Sequence, residues 1–161
     1  MLPSLLGTGS RGRLVWTIYA FLPLIWIPAG VGAFEALAPV RRGAMRLALC
    51  FALVASIAMM LDLMRWPSIH WHLAGAFAQA APPEQAVLSA TFDGLNTYLG
   101  NFIGEFLGEL AVSMFFLLTS FVWLGSPSRA RWIGWIGIAT AVAGLIGSSA
   151  TSARSSRRWR R

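Results

Sequence analysis

The chain has 161 residues, 57% of them apolar and only 12% charged, with a formal net charge of +7. Soluble domains carry roughly 25% charged residues because they face water on every side, so this composition excludes an ordinary soluble globular domain. Eight Trp and ten Phe suit a bilayer, whose interfaces collect Trp.

The positive charge does not point to nucleic acid. All 13 cations are Arg, and they stand at the edges of apolar runs: Arg11 and Arg13, then Arg41, Arg42 and Arg46, then Arg65, then Arg129 and Arg131. That is membrane flanking, where guanidinium groups reach back to lipid headgroups. The lone cysteine, Cys50, has no intrachain partner and reads as a small packing residue. No zinc-type Cys/His spacing occurs, and no metal or cofactor is expected.

In chain order, residues 1–13 are a short polar lead. A first span is predicted over about 14–38, long enough for a hydrocarbon core of roughly 30 Å. It is kinked by Pro23 and Pro28, and it is too long for a cleaved signal core. The turn Ala38-Pro39-Val40-Arg41-Arg42-Gly43 leads to a second span over about 47–64, bounded by Arg46 and Arg65. Residues 66–96 form the longest segment outside the spans. They include His70 and His72 among Trp66 and Trp71, read as an interfacial belt, and a helix starting near Pro83 and Glu84. A third span is predicted over about 98–124, a fourth over about 132–146, and an Arg/Ser-rich disordered tail over 148–161. The expected fold class is an all-α polytopic bundle of about four helices in one domain, 1–147. No internal repeat supports an inverted-repeat transporter.

The positive-inside rule places the Arg-bearing turns at 39–46 and 125–131 in the cytoplasm and residues 70–90 outside. Arg11, Arg13 and the five Arg after residue 153 then fall on the outer side as well, against the rule.

The run Tyr98-Leu99-Gly100-Asn101-Phe102-Ile103-Gly104-Glu105-Phe106-Leu107-Gly108-Glu109-Leu110 precedes a long apolar stretch. Arg131-Trp132-Ile133-Gly134 then opens an Ala/Gly-rich helix. With the Ala-Pro-Val-Arg-Arg turn at 38–42, this resembles a family of small bacterial multi-pass membrane proteins of uncharacterised function, a domain of unknown function, over about residues 14 to 147. The resemblance implies about six helices, of which this chain lacks the first and has an Arg-rich tail where a last one would stand, as in a shortened member. It implies no activity, cofactor or site residues.

Chemistry concentrates in the third span. Gly100, Gly104 and Gly108 recur every four residues and form one helix edge, a close-approach face for another helix of the chain or for a second copy. Beside it lie Asn101, Glu105 and Glu109, the candidate buried polar site. Counted at about 1.5 Å per residue from Tyr98, Glu109 falls roughly 16 Å deep, near the midplane. Intramembrane acids cost several kcal/mol unless they face the bundle interior. They imply either a proton- or cation-handling site or a carboxyl hydrogen-bonded between helices. Asp62 and Arg65 read as a local ion pair, and Glu35 as a residue near a span end.

The function read from these residues is that of a non-enzymatic integral membrane protein binding a partner protein, a lipid or a small ligand. A proton- or ion-coupled transporter subunit using Glu105 and Glu109 is the second reading. A membrane enzyme acting on a lipid or quinone is the third. Expected partners are the bilayer and a membrane protein or second copy, in a bacterial inner membrane, with no nucleic acid.

Overall fold

A computed structural model describes residues 5–127 and 130–158, with backbone alone for 150–158. Arg129 of the second Arg-bearing turn and the last three residues of the expected tail lie outside the described residues. The fold is all-α, and among the described residues there is no strand.

Helix α1, Gly9–Phe21, begins after Gly9 takes the left-handed region at φ 60, which glycine enters without a Cβ clash. Pro23 lacks the amide that an α ladder needs, and the chain tightens into a 3₁₀ turn, Leu22–Ile25. Helix α2, Trp26–Met64, is continuous in hydrogen bonding except at Arg41, whose φ of −150 and ψ of 80 are non-helical, two residues after Pro39. There the chain doubles back. Ser56 Oγ donates to the Pro23 carbonyl at 3.0 Å, and Gly30 faces Ala52 and Leu49. A straight helix would hold Pro23 and Ser56 about 50 Å apart. The arms 26–40 and 42–64 are therefore antiparallel.

Next comes a wide i→i+5 turn, Trp66–His70, and a helical hairpin: α3, Trp71–Gln79, and α4, Pro82–Leu95. Ala80 and Ala81 are extended, as the residue before proline prefers, and Pro82 opens the new helix. Glu84 accepts from the Ala81 amide at 3.3 Å. Gln85 Nε2 donates to the carbonyls of Phe77 and Ala80 at 3.3 and 3.1 Å, so one residue of α4 closes the end of α3. Leu73, Ala74 and Phe92 form a small apolar cluster between them, joined by Trp66.

The chain re-enters the bundle as a π-helical run, Asn96–Gly108, and continues as α5, Glu109–Leu124. Trp123 Nε1 donates to the Ala130 carbonyl across the turn at 3.0 Å. Helix α6, Arg131–Arg158, returns along α5. It runs past the Ile146 end expected for the fourth span, since no Gly or Pro follows Gly147 to break it.

Among the described residues, three helical stretches, Gly9–Gln79, Pro82–Leu124 and Arg131–Ser149, are long and apolar enough to cross a membrane. The first of them contains the reversal at Arg41. The main core holds Leu37, Met45, Ala48, Ala52, Phe115 and Val122. Trp26 stands edge-on to Phe115 and Phe116 at 6.1 and 5.7 Å. This core fills the half of the bundle nearer the Arg-bearing turns. The other half is where polar side chains enter.

Candidate functional site

The π-helical run sets the site. Hydrogen bonding i→i+5 widens the turn; such winding is rare, and its single-turn form is frequent at functional sites. Gly100, Gly104 and Gly108 are all buried in it. A β-carbon at Gly100 would stand 2.8 Å from Nη2 of Arg65, one at Gly104 would collide with the Asp62 carboxylate, and one at Gly108 would stand 2.9 Å from Cγ of Met59. The glycine edge is thus filled by side chains of the second arm of α2, one helical turn apart. The missing β-carbons make room for a charged pair.

That pair is Asp62 and Arg65, whose side chains are only 16% and 9% exposed and form an ion pair. Arg65 Nη1 also donates to the Asp62 carbonyl at 2.8 Å, and the guanidinium lies 5.2 Å from the centre of the Trp66 ring. A buried ion pair offsets its desolvation only when its geometry is tight and further hydrogen bonds complete it. Here the carbonyl and the indole supply part of that. Sequence spacing shows the i,i+3 pair but not that it faces the acids of the third span. The signal that could have found it is a charged pair on a largely apolar arm, which needs a polar or small-residue face elsewhere in the bundle to receive it.

Asp62, Glu105 and Glu109 line one open cavity of about 370 Å³. Its other walls are largely apolar, with Tyr19 from α1, Trp26 at the start of α2, and Met59. Glu109 is half-buried, and its Oε2 is buried with no hydrogen-bond partner among the described residues. Gly147 of α6 packs close to that oxygen. Glu105 is exposed at the cavity. This differs from the inward position expected of an intramembrane acid. Gly104 takes the inward position, so its neighbour points to the edge of the contact. Asn101 is half-buried and does not line the cavity. Asp62 lies roughly 24 Å along the arm from Arg46, so the acids belong to the half nearer the hairpin.

Among the described residues no three His, Cys, Asp or Glu side chains are grouped to hold a metal ion. His70 is fully buried against Phe92 and Trp66, with ring centroids at 4.3 and 4.9 Å, while His72 is exposed. The belt read from the sequence is therefore divided. Trp66 stacks on Trp16 at 5.0 Å, and Arg13 Nε donates to the Pro67 carbonyl at 2.9 Å. Arg13, which contradicted the charge rule, is held by the bundle. Cys50 is a free thiol on an exposed face.

A second small-residue seam joins α5 and α6. β-carbons at Gly137 and Gly144 would collide with Ser120 Oγ and Ser113 Oγ, and Ala141 between them is fully buried. The Ala/Gly-rich character of this helix does not by itself show the stripe, whose signal is the i, i+4, i+7 spacing of Gly137, Ala141 and Gly144.

Neither a curated protein nor a solved structure matches the chain. A family profile described as a domain of unknown function (DUF4386) matches residues 1–156, wider than the resemblance read over about 14 to 147. The chain is thus an integral membrane protein of that family, whose description assigns no specific activity.

Proposed function

We propose that the protein is a non-enzymatic membrane binding protein whose cavity takes a small organic cation with an apolar body. The observation that carries this is the lining: three carboxyl groups, Asp62, Glu105 and Glu109, share one cavity with Tyr19 and Trp26, while Arg65 is committed to Asp62. Arg65 also attracts Glu105, and Glu109 is left without a cation of its own among the described residues. Binding pockets are largely apolar with a few convergent polar groups, and an ammonium gains from both a carboxylate and an aromatic face. The glycine edge is occupied within the chain, so self-association or a membrane partner protein would use another face. The Arg-bearing turns support a cytoplasmic position for that end, and with it the inner membrane of a bacterium.

Benzyltrimethylammonium and its uncharged isostere neopentylbenzene test this reading in purified protein. The cation is expected to raise the melting temperature, the neutral compound to leave it unchanged, and Glu109→Gln to remove the cation's effect. Equal responses to both compounds would refute a charge-selective site. Ion-coupled transport, the second reading, rests on the same acids and requires cation flux in reconstituted vesicles that Glu109→Gln abolishes.

A further inference from the structure

We propose that the opposite end of the bundle binds the phosphate headgroup of an anionic phospholipid through Arg42, Arg46 and Arg131. Two turns meet there. Leu37 and Met45 flank the reversal at Arg41 and share a cluster with Val122, against which Trp123 also packs, and Trp123 is tied to Ala130 just before Arg131. Arginines from separate parts of the sequence thus stand around one end.

Arg41, Arg42, Arg46 and Arg131 are exposed, and none forms an ion pair or side-chain hydrogen bond among the described residues. Arg13 and Arg65, by contrast, are held by Pro67 and Asp62. The acids do not balance this end. Asp62, Glu105 and Glu109 line the cavity in the other half, Glu84 and Asp93 belong to α4, and only Glu35 of the first arm is near. Among the described residues the local charge is that of four cations against one anion.

A lipid fits better than a soluble polyanion because the arginines are continuous with lipid-facing surface. Val40 and Leu47 are 40% and 49% exposed, and Trp132 and Trp135 beside Arg131 are 64% and 60% exposed. Trp in this position sits at headgroup level, with acyl chains below and phosphate above. Every cation of the chain is Arg and none is Lys. The guanidinium fork matches a phosphate through two parallel hydrogen bonds, which an ammonium cannot make.

The test uses the full chain in detergent, with quenching of Trp fluorescence by brominated phosphatidylglycerol and brominated phosphatidylcholine. The wild type is expected to favour phosphatidylglycerol. Each of R42Q, R46Q and R131Q should lower that preference by roughly five-fold, and the corresponding Lys variants by less. The substitutions are at exposed positions, and circular dichroism checks that helicity is kept; if the triple variant does not fold, the single variants decide. Equal quenching by both lipids in the wild type would overturn the proposal. So would a preference that survives all three Gln substitutions, or displacement of the lipid by an equimolar oligonucleotide.

Discussion

At the scale of single residues, the account rests on three glycines that differ in what they face. Gly104 abuts Asp62, which Arg65 holds in place. Gly100 abuts the end of Arg65, and Gly108 abuts Met59, whose unbranched thioether chain adapts easily. Overpacking a tight contact costs about 1–3 kcal/mol where the neighbour cannot yield. Alanine substitutions should therefore lower the melting temperature in the order Gly104 most, Gly100 next and Gly108 least. Thermal unfolding in one detergent checks the order, and equal effects at all three would mean that the glycine edge does not seat the ion pair. The period of four in these glycines can be read from the sequence. Which side chains fill the gap cannot, because it depends on the register between residues 59–65 and 100–108, brought together only by the hairpin of α3 and α4.

At the scale of elements, two seams differ in chemistry. The second arm of α2 meets the π-helical run through charge and thioether, whereas α5 meets α6 through serine hydroxyls and bare backbone. In a bilayer, helices gain little from burying apolar surface against one another, so close packing must hold them together. A methyl group at Gly144 would strike Ser113 Oγ. Gly144→Ala should therefore destabilise, and Ser113→Gly combined with Gly144→Ala should recover more of the melting temperature than addition of the two single effects gives. Strict additivity would show that the two residues do not meet. The all-α transmembrane character is legible from long apolar runs bounded by Arg. The reversal at Arg41 has a visible cause in Pro39. The π winding of Asn96–Gly108 has no such marker: nothing in that stretch distinguishes it from an α-helix, and α-helical counting does not show that Glu105 is exposed. The burial of His70 is not legible either, because it depends on Phe92, which arrives from α4.

At the scale of the whole molecule, charge is segregated along the bundle axis. One half encloses an apolar core and ends in Arg41, Arg42, Arg46 and Arg131, which have no ion pair among the described residues. The other holds Asp62, Arg65, Glu105 and Glu109 and leads into the α3–α4 hairpin. This polarity gives the molecule a lipid-facing cationic end and an acidic cavity, and the cavity is the centre of the functional account. The most direct measurement of it is covalent labelling by dicyclohexylcarbodiimide, an apolar reagent for carboxyl groups within membranes, mapped by mass spectrometry of the purified chain. The account predicts labelling at Glu105 or Glu109, sparing of the ion-paired Asp62, and protection by benzyltrimethylammonium but not by neopentylbenzene. Labelling of Glu105 and Glu109 that the cation leaves unchanged at saturating concentration would contradict it.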